Sequence, residues 1–333
     1  MQLPSHLQKA IESEVSKYGL GNITRAAADL SEKYRLLQPS TERFITTELD
    51  RLAYIAVRMP ATFAAARAVF AEMRRLATEL PVNSLLDLGA GPGTAAWAAV
   101  NVFEDVHRIT LIEQDRGLIS LGKTFAGESE DEALRSADWL SLNLKTVDEF
   151  PAHDLVVCSY SLGEIETEAA RKVLRAAWYA AIRAIAIIEP GTMKGFELVR
   201  NARDELIKSG GNVLAPCPHH QTCPMSGDDW CHFARRFQRT PLHRRIKSAA
   251  LGYEDEKFSY IVVAKHPVRQ VQARVIRHPL RRPGYTQIQI CDKDQLRSIT
   301  VTRSDRELWK RARKIDWGDD WEVKEERKRN KRK

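Results

Sequence analysis

The chain has 333 residues, 43% of them hydrophobic, which is enough for a sizeable core in two domains or one enlarged domain. This composition excludes intrinsic disorder for most of the chain. Lys and Arg number 52 against 44 acidic residues, and the resulting net charge of +8 favours a polyanionic partner over an acidic substrate.

Membrane and export signals are not apparent in the sequence. It contains no apolar run of about 18 residues. Its first residues, Met1-Gln-Leu-Pro4, resemble neither a signal peptide nor an Arg-rich transit sequence. We therefore expect a cytoplasmic protein that does not contact membranes, whose oligomeric state the sequence leaves open.

Residues 7–80 are typical of helices because Ala, Leu, Arg and Glu predominate there. Pro60 separates two helical runs, and the second, Ala61 to Leu80, ends just before Pro81. A run of β-prone residues begins at Val82. This change of pattern predicts an N-terminal helical domain over residues 1–80.

From residue 81 to 266, strand-like runs alternate with helical patterns, which indicates crossover units and a parallel sheet. The predicted strands are Ser84–Leu88, Ile109–Glu113, Trp139–Leu142, Asp154–Ser159, Ala184–Glu189 and Phe258–Lys265. Residues 210–241, rich in Cys, His, Pro and Asp, interrupt the alternation and are interpreted as an insertion.

Three short β-prone segments follow Pro267 and predict a small β subdomain over residues 267–318. They are Gln270–Ile276, Thr286–Cys291 and Ser298–Thr302. Residues 319–333 form a basic tail, in which 324–333 are a block of charges.

A glycine-rich loop follows the first predicted strand. The segment contains Asp87, Gly89, Gly91 and Gly93, and a predicted helix begins at Thr94. A dinucleotide-binding loop would need glycine at position 94, and a Walker loop would end in Gly-Lys-Ser/Thr, so both are disfavoured. An ordinary tight strand-to-helix turn is the structural alternative.

The Asp-x-Gly-x-Gly-x-Gly form of this loop resembles motif I of class I S-adenosylmethionine methyltransferases. The resemblance implies that Asp87 meets the amino end of the cofactor, that the glycines make room for it, and that Glu113 binds the ribose hydroxyls. It places Asn143 at the adenine amino group, where an amide oxygen can accept the hydrogen bond. Leu144 and Ser159 complete the expected cofactor site.

The fourth predicted strand lies where many methyltransferases hold the reacting group. It lacks an Asn/Asp-Pro-Pro-Tyr/Phe motif, which weakens the case for direct N-methylation. Ser159 and Tyr160 are candidates to face the substrate, and the start of a helix is the alternative. Glu164 and Glu166 are candidate bases, but a position on a solvated helical face is the favoured interpretation for both. The catalytic residue is therefore unknown.

Cys217, Cys223 and Cys231 lie close together in the chain, and Cys291 follows at the end of a predicted strand. Their gaps are wide for the short knuckles of tetrahedral zinc sites, whereas an iron–sulfur cluster tolerates wider spacing. Because His219, His220 and His232 lie nearby, a zinc site formed by Cys and His side chains is also possible. A cluster, zinc and simple buried thiols therefore all remain possible at this point.

Several segments together resemble the methyltransferase-like family associated with the small subunit of the mitochondrial ribosome and its bacterial relatives. They include the glycine loop, Asp154–Ile165, Ile188–Thr192, Ala215–His219, Asp229–Phe233 and Phe258–Val263, within residues 35–318. The resemblance implies a [4Fe–4S] cluster held by Cys217, Cys223, Cys231 and Cys291. It also implies association with small-subunit rRNA, and the lack of a presequence suggests the bacterial branch.

A rival interpretation comes from RNA 5-methylcytosine enzymes, which use Pro-Cys and Thr-Cys pairs. The chain contains Pro216-Cys217 and Thr222-Cys223, but both lie in one insertion instead of following two different strands. Cys158 matches no expected ligand and is interpreted as a buried strand thiol.

Basic clusters flank the cysteines and favour contact with RNA phosphates, with Phe233, Phe237 and Tyr285 as candidates to stack on bases. The clusters are Arg235-Arg236 with Arg239, His243–Lys247, Arg277–Arg282 and the tail. A solvated helical face is the alternative.

The sequence thus predicts an α/β class I (Rossmann-like) methyltransferase fold with an N-terminal helical domain, a Cys-rich insertion and a small C-terminal β subdomain. The predicted function is methylation of small-subunit rRNA or subunit assembly with S-adenosylmethionine and a [4Fe–4S] cluster, zinc being the alternative metal. The alternative function is an inactive assembly factor that binds rRNA through the same fold.

Overall fold

The computed structural model describes residues 1–35, 45–293 and 295–322. The helices are α1 (Ser5–Ser16), α2 (Leu20–Arg35), α3 (Glu48–Val57), α4 (Met59–Leu76), α5 (Thr94–Val100), α6 (Arg116–Gly127), α7 (Glu132–Arg135), α8 (Thr167–Ala180), α9 (Met193–Lys208), α10 (Pro241–Ile246) and α11 (Arg306–Ala312). The strands are β1 (Ser84–Leu88), β2 (Arg108–Glu113), β3 (Asp138–Ser141), β4 (His153–Ser159), β5 (Ala181–Pro190), β6 (Asn212–Ala215), β7 (Phe233–Gln238), β8 (Tyr253–Ala264), β9 (Ala273–Val275), β10 (Leu280–Arg281), β11 (Tyr285–Asp292), β12 (Leu296–Thr302) and β13 (Asp320–Trp321).

The larger sheet has eight strands in the order β3-β2-β1-β4-β5-β8-β6, and β7 pairs with β8 outside this path. The pairs among β1 to β5 are parallel, whereas β8 runs antiparallel to β5, β6 and β7. The class I methyltransferase-like α/β fold is therefore confirmed, with a mixed sheet. The expectation of a parallel sheet is wrong for β8, because the chain enters β8 from β7 and α10 instead of from a crossover helix.

Local sequence explains how the main elements begin. All five residues of β1 are buried, as expected for a central parallel strand that is covered on both faces. At the start of α3, Thr47 Oγ1 accepts a hydrogen bond from the Asp50 amide, and the Asp50 carboxylate accepts one from the Thr47 amide. Thr192 caps α9 in the same way by accepting from the Gly195 amide.

The N-terminal helices and the larger sheet share one hydrophobic core. Helix α4 packs on α5 and on β8. Phe70 of α4 is fully buried, and its ring centroid lies 5.8 Å from that of Phe103, which follows α5. The division of the chain at residue 80 stays a prediction, since packing continues across it.

Two strands lie inside the predicted insertion, at residues 210–241. Strand β6 forms one end of the larger sheet, and β7 pairs with β8 over its full length. Only residues 216–232 between them lack helix and strand. The sequence obscured both strands because β6 is short and stops at Pro216, while β7 carries two adjacent exposed arginines.

A second, antiparallel sheet has the order β10-β11-β9-β13, with β12 on the other side of β11. Its own small core includes Val275, Ile288 and Ile290. β13 pairs with β9, so folded structure extends beyond residue 318. The charge block at 324–333 lies outside the described residues. None of the described helices combines the length and apolar character needed to span a bilayer.

The shared core makes a stability prediction. Phe70→Ala should destabilise the protein by about 3–5 kcal/mol, because it leaves a cavity between α4 and Phe103. Chemical denaturation should show one transition in which helices and sheet unfold together, with exposed Tyr179→Ala as the control. Loss of the N-terminal helices in a separate, earlier transition would contradict the shared core.

Candidate functional site

A crevice opens at the carboxyl ends of β1, β2 and β4. Its volume is about 380 Å³, within the range of small-molecule sites. The strand order reverses between β1 and β4, and such a switch point is where open α/β sheets bind ligands. Of the eight residues predicted to bind the cofactor, the following seven line this crevice: Asp87, Gly89, Gly91, Glu113, Asn143, Leu144 and Ser159.

The glycine loop adopts a backbone that suits glycine. Gly89, Gly91 and Gly93 have φ of +75°, +55° and +83°. A Cβ at Gly89 would lie 2.5 Å from Ser161 Cβ, whereas one at Gly91 would meet open space. Gly93 is outside the crevice lining and precedes α5 as its N-cap residue. The loop therefore brings its backbone close to the crevice at Gly89 and Gly91.

Glu113 fixes the crevice wall at the end of β2. Its Oε2 accepts from the Gly91 amide at 2.9 Å, and its Oε1 accepts from the Gln114 and Asp115 amides at 2.8 Å. Burial raises the pKa of this carboxyl, and the three backbone hydrogen bonds oppose the rise. Glu113 thus ties the glycine loop to the next strand, and its remaining lone pairs are available to ligand hydroxyls.

Asp87 is the most unusual residue of the crevice. It is 1% exposed, and no side chain of the described structure donates a hydrogen bond to its carboxylate. Burial, and secondly the negative charge of Glu113, raise its pKa to about 7, while the backbone amide of Ala96 acts in the opposite direction. Buried polar groups are normally paired, so this carboxylate calls for a ligand donor or cation.

Further acids make the crevice electronegative. Glu164 lines the cavity with its side chain partly exposed, and desolvation by its neighbours together with the charge of Glu113 raises its pKa. Asp115 is held by two hydrogen bonds from Arg51, at 2.7 and 2.9 Å. Among the described lining residues there are five carboxylates and one basic side chain, Lys145. This charge pattern favours a cationic ligand.

Asn143 lines the crevice but its amide oxygen already has a partner. The oxygen accepts from the Lys145 amide at 3.0 Å and caps a short 3-10 helix, Leu144–Thr146. Its predicted contact with adenine therefore has to use the second lone pair of the oxygen. Leu144 is 8% exposed and offers an apolar surface to a ligand ring.

Several lining residues were missed by sequence reasoning. Tyr54 comes from the N-terminal helices, and Thr94 and Ser161 have buried hydroxyls without a partner in the described structure. Tyr160, which the sequence named as a candidate to face the substrate, lines the crevice with φ of +57°, a conformation that non-glycine residues seldom adopt. Of the missed residues, only Thr94 has a sequence signal, which is its position directly after the glycine loop.

The four predicted metal ligands lie around a second cavity, which we call the thiol cavity. It has a volume of about 40 Å³, and its lining includes Cys217, Cys223, Cys231 and Cys291. Burial raises the pKa of all four thiols, to about 12 for Cys291. The segment 216–232 supplies three thiols and the end of β11 supplies the fourth.

No group of three or more His, Cys, Asp or Glu side chains in the described ranges is arranged to hold a metal ion. Cys158 lies in β4 and is fully buried, as expected for a strand thiol. No cysteine of the described part lines the crevice, so Cys217 and Cys223 are not placed as the 5-methylcytosine interpretation requires.

The predicted basic surface is partly neutralised. Arg236 binds Asp255, Arg239 and Lys247 bind Glu254, and Arg277 binds Asp229. Phe233 and Phe237 are 5% and 1% exposed, so the expectation that they stack on bases is wrong: both pack inside the protein. Of the arginines in the predicted clusters, the following are exposed and form no ion pair with a described residue: Arg235, Arg244, Arg245, Arg281 and Arg282.

Comparison with known families decides the assignment. A family model described as the mitochondrial small ribosomal subunit Rsm22 matches residues 48–322. The chain belongs to the Rsm22 family. The match covers the larger sheet, the crevice, the thiol cavity and the second sheet.

Curated relatives of this Rsm22-family chain include the mitochondrial ribosome assembly protein METTL17 of Homo sapiens. It is 27% identical over 290 residues, covering 82% of this chain and 62% of the relative. The Rsm22-cox11 tandem protein 2 of Schizosaccharomyces pombe is 25% identical over 370 residues, covering 94% and 48%. The chain therefore spans less than two thirds of the length of these relatives.

Solved structures similar to the Rsm22-family chain include methyltransferases. Magnesium protoporphyrin IX methyltransferase from Synechocystis PCC 6803 with bound SAH has a TM-score of 0.43 at 13% identity and covers 67% of this chain and 96% of its own. The putative RNA methyltransferase PH1948 from Pyrococcus horikoshii has a TM-score of 0.40 at 14% identity, with coverage of 60% and 81%.

The buried Asp87 charge predicts an unusual effect on stability. Folding raises the pKa of Asp87 to about 7. The folded protein therefore loses stability as the pH rises from about 4 to 7, because the buried carboxylate becomes charged. Asp87→Asn removes this cost and should stabilise the ligand-free protein above pH 7 by up to about 4 kcal/mol, with little effect at pH 4. Thermal unfolding against pH measures this, with exposed Asp138→Asn as the control. Destabilisation at pH 8 would contradict the account of Asp87.

Proposed function

We propose that this Rsm22-family protein binds S-adenosylmethionine in the crevice and acts on the small ribosomal subunit, methylating its rRNA or supporting its assembly. The observation that carries the proposal is the buried Asp87 carboxylate, which lines the crevice and has no side-chain donor or cation beside it in the described structure. A binding surface without a small ligand would gain nothing from keeping a charge there.

The chemistry of the crevice supports this cofactor. S-adenosylmethionine carries an ammonium and a sulfonium, and an electronegative cavity favours both. Asp87 would hold the amino end, Glu113 the ribose hydroxyls, and Leu144 with Asn143 the adenine. The open space at Gly91 leaves room for the ligand beside the loop. When bound, the cofactor supplies an activated methyl group.

The acceptor side of the crevice is held by a network of side chains. The Tyr160 hydroxyl donates to Glu256 Oε1 at 3.1 Å, and Arg58 donates to both oxygens of Glu256. This network keeps Tyr160 at the end of β4 in its left-handed conformation. The protein would act mainly by positioning an acceptor against the methyl group, and we assign no general base.

We further propose that the thiol cavity holds an iron–sulfur cluster through Cys217, Cys223, Cys231 and Cys291. The proposal is supported by four thiols that surround one cavity, since thiolates bind separate corners of a cluster. The described side chains include no group already arranged around a metal ion, so the proposal rests on the four thiols that line the cavity, and zinc is the alternative metal. The cluster would fix the segment 216–232 against the end of β11.

The rRNA partner is proposed from charge and from the family. The net charge of +8 and the exposed arginines of α10, Arg244 and Arg245, suit contact with phosphates. The human relative is named as a ribosome assembly protein. The inactive assembly factor is the less favoured reading because it leaves the Asp87 charge unexplained. A cytoplasmic location and the bacterial branch stay predictions.

Cofactor binding should depend on Asp87 and on pH. The affinity for S-adenosylmethionine should fall as pH decreases below about 7, by up to tenfold per unit, because protonation of Asp87 removes the partner of the ammonium. Asp87→Asn should weaken binding at pH 8 at least tenfold and flatten this pH dependence. Isothermal titration calorimetry measures both, with Asp138→Asn as the control. Equal affinity of Asp87→Asn and the wild type would contradict the assignment.

The function is tested by incubating anaerobically prepared protein with methyl-labelled S-adenosylmethionine and immature small subunits. We expect label in one rRNA nucleotide, and Gly91→Arg should abolish it because the new side chain enters the crevice. Gly21→Arg, at an exposed site on α2, is the matched control. Subunit binding should weaken with salt and in the Arg244→Gln/Arg245→Gln double variant.

Two results would contradict these expectations. Tight subunit binding without label would leave assembly as the function and remove the enzymatic one. Binding that is indifferent to salt and to the α10 arginines would remove the proposed phosphate contacts, and Arg171→Gln/Arg175→Gln on α8 controls for loss of positive charge elsewhere.

A further inference from the structure

Two buried arginines line the thiol cavity together with the four cysteines. Arg203 of α9 is 2% exposed and Arg274 of β9 is 1% exposed. Arginine is rarely buried to this extent without specific partners. Their burial beside four thiols is therefore to be explained by the groups that each guanidinium binds.

Both guanidinium groups are firmly held by the protein. Arg203 Nη2 donates to the carbonyls of His219 and Gln221, at 3.0 and 2.6 Å, and Nη1 binds Asp204. Arg274 Nε donates to the Pro216 carbonyl, and Nη1 donates to Glu72 and to the Gly318 carbonyl. These contacts orient each planar group, so that its remaining donors point in fixed directions.

One nitrogen of each guanidinium is buried and has no hydrogen-bond partner in the described structure. These atoms are Arg203 Nε and Arg274 Nη2. His219, which is also buried and lines the cavity, has its Nε2 3.6 Å from Cys291 Sγ. Buried donors without acceptors are rare in proteins, and here they lie at the same cavity.

The cavity contains no acid to meet these donors. Its described lining includes arginines 200, 203 and 274 but no Asp or Glu side chain. The positive charge of Arg203 acts on the Cys217 side chain, which lines the same cavity. The acceptors that match the donors are therefore sulfur atoms that carry negative charge.

We propose that Arg203 and Arg274 are positioning residues for the sulfur ligands of an iron–sulfur cluster, and that their charge favours its more negative, reduced state. The inference rests on the cluster proposed above. Hydrogen bonds to the sulfurs and nearby positive charge both raise the reduction potential of such clusters. The couple is the uptake of one electron by the [4Fe–4S]²⁺ core from an added chemical reductant, with no proton transferred.

Arg203 is the better residue to test, since Arg274 also connects Glu72 of α4 with residues 216 and 318. The full chain is prepared anaerobically as wild type, Arg203→Gln, Arg203→Lys and Arg175→Gln. Arg175 lies on the surface of α8 opposite Glu205 and controls for the loss of a charge. Iron and acid-labile sulfide are counted, and a redox titration is followed by electron paramagnetic resonance.

We expect Arg203→Gln to retain iron and sulfide. At a fixed potential, its ratio of oxidised to reduced cluster should be at least tenfold higher than in the wild type, which corresponds to a reduction potential lower by about 59 mV. Arg203→Lys should shift the ratio less, and Arg175→Gln should match the wild type. If Arg203→Gln loses the cluster, retention by Arg203→Lys with a smaller shift supports the role of the charge.

Two results overturn the inference about Arg203 without contradicting the proposed cluster of the wild-type protein. One is an unchanged ratio in Arg203→Gln, and the other is loss of the cluster from both Arg203 variants when their circular dichroism matches that of the wild type. A wild-type protein that contains zinc, or no iron and sulfide, instead overturns the proposed cluster itself. The two failures are therefore distinguished by the iron and sulfide content of the wild type.

Discussion

The reversal of strand order between β1 and β4 is the constraint on which the candidate cofactor site depends. The chain leaves these neighbouring parallel strands toward different sides of the sheet, so that a crevice opens above their carboxyl ends. The glycine loop covers one side of the crevice, and Glu113 holds this loop through the Gly91 amide. Asp87 lies at the base without a side-chain donor in the described structure, and in the proposed function its carboxylate binds the amino end of the ligand.

Helix α4 relates the crevice to the thiol cavity. Arg58, which immediately precedes α4, binds Glu256 and through it the crevice residue Tyr160. Near the other end of the helix, Glu72 binds Arg274 of the thiol cavity. The N-terminal helices are thus part of both sites, and the buried contact of Phe70 with Phe103 fixes α4 on the remainder of the fold.

The sequence was sufficient for the central elements because their local signals are strong. The bounds of β1 were predicted correctly from its apolar run, and the Asp87 to Gly93 pattern indicated the loop and the crevice. Grouping the four cysteines in one site was also possible, although Cys291 is sixty residues from Cys231 in sequence.

Long-range pairing explains what sequence reasoning missed. β7 looks polar because Arg235 and Arg236 are exposed, and it forms only where β8 provides a partner. Phe237 appears available to RNA until packing buries it. Arg203 and Arg274 are ordinary arginines in the sequence, and only the fold places them at the thiols. Tyr160 carries no signal of its left-handed backbone.

The central claim is that the crevice is a cofactor site, and a crystal structure determined with S-adenosylmethionine tests it most directly. The account predicts density for the ligand in the crevice, with its amino group at Asp87, directly or through one water, and its ribose at Glu113. An empty crevice at saturating ligand, or a ligand bound elsewhere on the protein, would contradict it.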